Sequence, residues 1–379
     1  MIDLILAVAN NGVIGNEGKM PWNMKSDLKR FRDITMNKKI IMGRKTYESL
    51  PKKLPGREYI VVSSSKKIDD VTTGHNLFDI LKLYASSREE VFVIGGANVA
   101  RQSLPFCNHL YITRIKKDYD GDAVFDVDLG ERFDLEYGYG ELDEQSGLEY
   151  YFEIWRRKLR LVIFDMDGLM IDSEKKSRRA WLEAAREAGF DMSDEFFYGL
   201  VGANLSRAKQ RMAEYYPDID LEKFYAARQR ISDAIYATEP LEAKPGLYEL
   251  VDFLNDYGIL KAVASSTRRE RVVSNMKAIG MSGKLNYIVC GDEVKKSKPS
   301  GDIYRNVLSH FSCEPRNAIV LEDSKLGILS AQDAGARCLL IPDIVPADEQ
   351  SKAIAYAVAP DLHGARDIIA REIGVELIG

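Results

Sequence analysis

At 379 residues the chain is longer than one ordinary core fills, and two or three domains are expected. Hydrophobic residues at 45% and charged residues at 29% describe a globular protein and argue against a disordered or fibrous one. A net charge of -5 lacks the basic footprint of a nucleic-acid binder. Cys107, Cys290, Cys313 and Cys338 are scattered without paired or metal-ligand spacing, which predicts free thiols in a reducing compartment. The opening MIDLILAVANNGVIG carries Asp3 and no basic n-region, and no apolar run reaches membrane-spanning length. The expected location is cytoplasmic, with small-molecule substrates, no nucleic-acid or membrane partner, and a monomer or homodimer left open.

In chain order, LILAVAN, KIIMG, YIVVSS, VFVIGG, HLYITRI and YYFEIW read as short strands with helical patterns between them, several bounded by Gly, Asn or Ser. The last belongs to EYYFEIWRRK, whose alternation suits a half-exposed antiparallel strand, and LRLVIFD begins another almost at once. Between Lys175 and about Leu241 no strand pattern occurs. There WLEAAREAGF, LSRAKQRMAEYY and LEKFYAARQRISDAIYA carry helical spacing and predict an all-helical insert. ILKAVASS, YIVCGD, AIVLED and CLLIPD follow, each beside a helix-like segment, as in a doubly wound parallel sheet. No repeat, low-complexity tract or Gly/Ser/Pro linker separates the halves. The expected domains are 1–158 and 159–379, the second made of a core (159–174 and 242–379) and a helical cap at about 175–241.

In the first half, GKMPWNMKSDLKRFRDIT sets Trp22, Asp27, Leu28 and Phe31 close together. Helical spacing puts Leu28 and Phe31 beside the carboxylate. Apolar neighbours desolvate its charged form, which keeps a proton donor available toward neutrality. Standing alone, the segment would read as a first-turn carboxylate favoured by the helix dipole. It does not stand alone: IIMGRKTYESLPKKLPGR, YIVVSSS, VFVIGGANV and LYITRI follow in order, and together they resemble dihydrofolate reductase across residues 1 to about 158.

That resemblance implies an α/β fold, a mixed sheet with flanking helices, and hydride transfer from NADPH to dihydrofolate. Asp27, supported by Thr113, would favour protonation of the pterin imine, with Trp22 ordering water and the loop from Asn16 to Trp22 around Met20 closing over the nicotinamide. Ala7, Leu28, Phe31, Leu50, Leu54 and Ile94 would line the pocket, and Arg57 would meet the glutamate carboxylate. For the cofactor it implies Ala7, Ile14, Met20 and Gly43, with Arg44 and Lys45, aided by Ser63 and Ser64, supplying the charge that a 2′-phosphate needs. Thr46 and the Gly95-Gly96 turn suit the pyrophosphate. One departure is Ala100, where the family commonly has tyrosine, and a roomier nicotinamide pocket is expected. Riboflavin-pathway pyrimidine reductases share this architecture and stay as an alternative, although Asp27 in its MPW context favours dihydrofolate.

In the second half the polar groups gather at predicted strand ends, where open parallel sheets bind ligands. Asp165 and Asp167 follow LVIF, Ser265 follows KAVA, Lys298 stands in KKSKPSGDIY after YIVCGD, and Glu322-Asp323 follow AIVL. Clustered Asp and Glu make a hard oxygen site suited to Mg²⁺, and a hydroxyl with an ammonium can hold a phosphoryl group. Ser173, and less so Asp172, reads as a cap of the next helix. The ordered set resembles a haloacid-dehalogenase-superfamily phosphatase with a helical cap, over residues 159 to 379, whose core is a Rossmann-like parallel sheet.

The resemblance implies Asp165 as nucleophile through an aspartyl-phosphate, and Asp167 as acid and then base. It implies Ser265 and Lys298 on the phosphoryl group, and Mg²⁺ held by Asp165, the Asp167 carbonyl, Asp323 and Glu322, the last directly or through water. The family's Lys-Pro-x-Pro-Asp is here Lys298-Pro299-Ser300-Gly301-Asp302. Where related phosphoglucomutases carry a histidine, this chain has Ser177, which favours hydrolysis over returning the phosphoryl group to sugar. Specificity is expected from the cap, near Gly202, Asn204 and Arg207. The alternatives are a silent scaffold and a mutase.

Overall fold

The computed structural model describes residues 1–51, 53–203 and 205–377. The chain divides into two compact units, the first holding 1–158, 255–258 and 372–376 and the second 159–254, 259–371 and 377. No described helix is long and apolar enough to cross a membrane.

In the first unit the order is β1 (Ile2–Ala9), β2 (Val13–Gly15), α1 (Lys25–Thr35), β3 (Lys39–Gly43), α2 (Arg44–Ser49), β4 (Glu58–Val62), β5 (Thr72–Gly74) and α3 (Leu77–Ala85). There follow β6 (Val91–Gly95), α4 (Ala97–Ser103), β7 (Cys107–Ile115), β8 (Ala123–Val124), β9 (Phe133–Asp143) and β10 (Leu148–Arg157). An eight-stranded mixed sheet runs β5-β4-β3-β6-β1-β7-β10-β9. Its strands pair in parallel from β5 to β7, and β10 joins β7 and β9 antiparallel. The central strands are buried on both faces, so residues 4–9 of β1 and 40–42 of β3 read as unbroken apolar runs. The hairpin strand β9 is exposed along most of its length, and although Phe133, Leu135, Tyr137 and Tyr139 alternate with polar residues or glycine, the sequence reading did not single it out.

The second unit begins with β11 (Leu161–Phe164) and continues through α5 (Glu174–Glu187), α6 (Asp194–Tyr198), α7 (Leu205–Tyr215) and α8 (Leu221–Thr238). Then come α9 (Leu247–Asp256), β12 (Leu260–Ser265), α10 (Arg269–Ala278), β13 (Tyr287–Cys290), α11 (Asp302–His310), β14 (Ala318–Glu322), α12 (Lys325–Asp333), β15 (Arg337–Leu340), α13 (Glu349–Ile354), β16 (Ala357–Val358) and α14 (Leu362–Glu372). The six-stranded sheet, β13-β12-β11-β14-β15-β16, is parallel throughout, as the alternation of strands and helices predicted. Helices α5 to α8 pack around Trp181, Phe197 and Phe224 in a core of their own. Side-chain caps start two of them: Ser193 accepts from Phe196 N–H and Asp220 from Lys223 N–H.

All four cysteines are free and buried. Burial raises the thiol of Cys290 to about 12 and pushes those of Cys107 and Cys338 up as well.

Candidate active sites

In the first unit, α1 carries Asp27 to the side of β7, where Thr113 donates its hydroxyl to Asp27 Oδ1 at 2.6 Å. The start of α1 explains how this carboxylate is held. Met24, its N-cap, offers no side-chain hydrogen bond. Asp143, at the end of β9, takes over: it accepts from Ser26 N–H at 3.2 Å and Ser26 Oγ at 2.6 Å, and from Ser146 N–H and Oγ at 3.0 and 2.7 Å. These donors hold Asp143 well below the usual carboxylate range. One turn beyond Asp27, Arg30 lies 4.3 Å from the Phe152 ring and donates to Tyr139 and Tyr150 at 3.0 and 3.2 Å. Asp27 thus sits between two points at which the β9–β10 hairpin grips its helix. Burial raises its pKa, opposed by the Thr113 hydrogen bond and the Arg30 charge and assisted by Asp143.

Trp22 is buried, its Nε1 without a partner among the described residues, and its ring meets Tyr119 edge-on at 5.2 Å. Phe31, Leu50, Leu54 and Ile94 are partly buried against a cluster built on Ile5, Ile40, Met42 and Phe92, while Ala7 packs beside Trp22 and Met24. Leu28 and Met20 are exposed, at 43% and 48%, apolar surface open to a ligand. The loop after Ile14, which is half-buried in β2, is tied by Glu17 N–H donating to Asp122 at 3.0 Å. Arg57 is already engaged, donating to the Pro55 carbonyl at 2.7 Å, the Arg32 carbonyl at 2.8 Å and Thr35 Oγ1 at 3.2 Å.

The expected cofactor residues converge on adjacent strand ends. Gly43, Arg44, Lys45 and Thr46 follow β3, Ser63 and Ser64 follow β4, and Gly95-Gly96 follow β6. A Cβ on Gly96 would lie 3.2 Å from Thr46 Oγ1, so α2 and the diglycine turn approach closely. Among the described residues, Arg44 keeps only a 3.6 Å contact with Glu48. Ser63 is buried and its Oγ accepts from Lys66 N–H at 3.2 Å, whereas Ser64 is exposed. Ala100 is fully buried in α4.

In the second unit, loops at the ends of β11, β12 and β14 bring together Asp165, Asp167, Ser265, Glu322 and Asp323, with Lys298 entering after β13. The Lys298 ammonium is 2.5 Å from both Asp165 Oδ1 and Glu322 Oε1. Glu322 also accepts from the Tyr304 hydroxyl, and its second oxygen accepts from Ser324 Oγ at 3.1 Å. Two glycines let the chain close over these acids. A Cβ on Gly327 would stand 1.8 Å from Glu322 Cδ, and one on Gly168, at φ +83, 2.1 Å from Asp323 Oδ2.

Carboxylate oxygens of Asp165, Glu322 and Asp323 all lie within 4.8 Å of one another. Burial drives Asp165 up to about 8, against the pull of Lys298 and with the push of Glu322, and raises Asp323 still more clearly. Burial also opposes the Lys298 ammonium, but Asp165 and Glu322 outweigh it and hold the proton on. Three buried acids facing one ammonium leave a surplus of negative charge on hard oxygen donors, which a divalent cation such as Mg²⁺ would balance.

Asp167 is held differently. Its Oδ1 accepts from Ser173 Oγ and its Oδ2 from Thr267 Oγ1, each at 2.8 Å. The reading of Ser173 as a helix cap is therefore corrected. Ser173 precedes α5 in helical rather than extended geometry, makes no capping bond, and turns its hydroxyl back to the loop. Ser265 is buried and accepts from Thr267 N–H at 3.1 Å. Thr267, Tyr304 and Ser324 escaped the sequence reading. Only the Ser-x-Thr spacing after β12 offered a signal. Glu174 was also missed; burial and the neighbouring Asp167 raise it to about 8.

On the cap side, a Cβ on Gly202 would lie 2.6 Å from Ser324 Oγ, and Arg207 lines a cavity of about 520 Å³ with Gln210, Arg211 and Ser297. Asn204 lies outside the described residues.

Comparison with known proteins divides the chain at the same place. A dihydrofolate reductase family model matches residues 1–157, and a haloacid dehalogenase-like hydrolase model matches residues 162–341. The dihydrofolate reductase of Bacillus subtilis is 36% identical over 161 residues, 42% of this chain and 95% of that protein. That of Haemophilus influenzae is 36% identical over 156 residues, 41% of this chain and 98% of that protein. Among solved structures, dihydrofolate reductase from Enterococcus faecalis, complexed with NADP(H) and RAB-propyl, is 33% identical over 41% of this chain and 96% of its own, with a TM-score of 0.39. CbbY from Rhodobacter sphaeroides in complex with phosphate is 26% identical over 54% of this chain and 95% of its own, with a TM-score of 0.48.

Proposed function

Because the chain belongs to the dihydrofolate reductase family through residues 1–157 and carries a haloacid dehalogenase-like hydrolase domain over residues 162–341, we propose a bifunctional enzyme. The first domain reduces 7,8-dihydrofolate to tetrahydrofolate with NADPH. The second hydrolyses a phosphomonoester of a small metabolite with Mg²⁺, through an aspartyl-phosphate on Asp165.

For the reductase, the supporting observation is the Asp27–Thr113 pair in a setting that raises the pKa of the acid. NADPH supplies the hydride when bound. Asp27, its orientation held by Thr113, binds the pterin and favours protonation of the imine nitrogen, and Trp22 orders water beside it. The Arg44 and Lys45 side chains, with Ser63 and Ser64, receive the 2′-phosphate, and Thr46 with Gly95 and Gly96 the pyrophosphate. Leu28, Phe31, Leu50, Leu54 and Ile94 provide the apolar walls, with Arg57 toward the glutamate tail. Ala7, Ile14 and Met20 meet the nicotinamide.

For the phosphatase, the observation that carries the reading is Lys298 bridging Asp165 and Glu322 within the buried acid cluster. Asp165, Asp323 and the Asp167 carbonyl, with Glu322 directly or through water, would hold Mg²⁺, which would supply Lewis-acid polarisation of the phosphoryl oxygens. Asp165 attacks phosphorus while the leaving oxygen takes a proton from Asp167, and Asp167 then removes a proton from the water that cleaves the aspartyl ester. Ser173 and Thr267 aim Asp167 for both transfers. Ser265 and Lys298 bind the phosphoryl oxygens, and Glu322 keeps Lys298 in place. Ser177, in the first turn of α5, leaves the second step to water. Four free thiols suit the reducing cytoplasm.

The test is phosphate release, with Mg²⁺ present, from pterin, flavin-precursor, nucleotide and sugar phosphates by the wild type beside Asp165→Asn. A compound hydrolysed by the wild type alone supports the reading. Release that Asp165→Asn retains, or isomerisation of a sugar phosphate without release, would sink it.

A further inference from the structure

One face of α8 carries polar groups that the reaction leaves unused. Tyr225, Arg228 and Tyr236 stand at i, i+3 and i+11 and so share one side of the helix. The Arg228 guanidinium lies 5.2 Å from the Trp181 ring centre and 5.9 Å from that of Tyr225. Lys209 of α7 stands 5.2 Å from the Tyr225 ring. From the sheet side, Arg271 of α10 lies 4.8 Å from the Tyr236 ring. Among the described residues none of these three cations forms an ion pair, and Asp233 on the same helix is engaged by Gln229 at 2.8 Å.

Two buried polar atoms in this stripe, Tyr225 Oη and Arg228 Nε, have no hydrogen-bond partner among the described residues. Buried donors left unmatched cost stability unless a ligand or water takes them up. The stripe also runs toward the reacting carboxylates. The Tyr236 hydroxyl feels the charges of Asp167 and Glu174, and Asn275, one turn after Arg271, directs its side-chain amide at the Met166 sulfur at 3.8 Å.

We propose that Arg228, Arg271, Tyr225 and Tyr236 form the leaving-group subsite of the phosphatase, and that they select phosphomonoesters whose leaving group bears a second anion, a carboxylate or a phosphate. This rests on the phosphatase reading of Asp165 and its neighbours. Guanidinium groups donate in a planar fork that fits two oxygens of either anion, the tyrosine hydroxyls add donors, and the rings wall the carbon skeleton.

The test separates binding from turnover with three phenyl phosphates matched in size: 4-carboxyphenyl phosphate, 1,4-phenylene bisphosphate and 4-methylphenyl phosphate. Equilibrium binding is measured to Asp165→Asn with Mg²⁺, and phosphate release by the unsubstituted chain. Either anion-tailed ester is expected to bind about tenfold or more tightly than the methyl compound. The tighter of the two names the anion. Arg228→Met and Arg271→Met, on separate elements so that a folding defect in one leaves the other as evidence, should each bring the ratio close to one, and Arg228→Lys should restore part of it. Equal binding of all three esters, or a ratio that both methionine variants preserve, overturns the subsite even when phosphate is released. Selective binding without release from any ester upholds the subsite and removes the phosphatase reading.

Discussion

A carboxyl that must keep its proton near neutrality cannot be well solvated, and Asp27 carries the thermodynamic consequence. Burial raises its pKa above 3.8, so the folded chain binds this proton more tightly than the unfolded one. The associated stability is complete below about pH 3.8 and is lost as pH climbs through the raised value. Asp27→Asn, uncharged throughout, should melt above the wild type at pH 8, with the difference shrinking as pH is lowered toward 4 in a series of thermal melts. The same variant should reduce dihydrofolate about 10²–10⁴-fold more slowly while still binding NADPH. Lys298 behaves oppositely. Lys298→Met strands Asp165 and Glu322 in a buried site, a loss of about 3–5 kcal/mol. Denaturant melts with and without Mg²⁺ should show that loss, and part of it should return when the cation is added.

Among the secondary-structure elements, the β9–β10 hairpin matters most to the reductase, because it caps a helix that cannot cap itself. Asp143→Ala removes four accepted hydrogen bonds from Ser26 and Ser146 and should cost about 0.5–2 kcal/mol in denaturant melts, with dihydrofolate turnover falling as Asp27 loses its fixed position. Asp143→Asn should recover part of both. In the phosphatase the comparable element is α12, whose first turn passes against Glu322. Gly327→Ala would set a methyl group inside that carboxylate, so phosphate release should be lost while dihydrofolate reduction continues. Neither relation could be read from the sequence. Asp143 and Ser26 are 117 residues apart, and Thr267 is 100 residues from the carboxylate it orients. Strands covered on both faces were readable as apolar runs, whereas β9, lying mostly in solvent, carries only the weaker alternation of Phe133, Leu135, Tyr137 and Tyr139 with Asp, Glu and Gly and was not singled out.

For the molecule as a whole, the change from short β-runs to a parallel series interrupted by helices sufficed to separate the two folds. The acids at the ends of β11 and β14 were readable too, since a carboxylate after four buried apolar residues demands a reason. What pattern could not supply was the pairing among those groups, which depends on where the crossovers set one strand end beside another. Because Asp27 and Asp165 belong to separate compact units, Asp27→Asn and Asp165→Asn should each remove one activity, and the double variant should show the sum with no coupling in a kinetic cycle. The buried cysteines give the chain a use beyond catalysis. Cys107 belongs to the first unit and Cys290, Cys313 and Cys338 to the second, each buried while its surroundings stay folded, and burial keeps the thiols of Cys107, Cys290 and Cys338 poorly ionised. Because all four are shielded in the folded chain, an alkylating reagent acts as a two-channel recorder of opening, and mass analysis of the labelled peptides tells from one sample which half yields first and which ligand delays it.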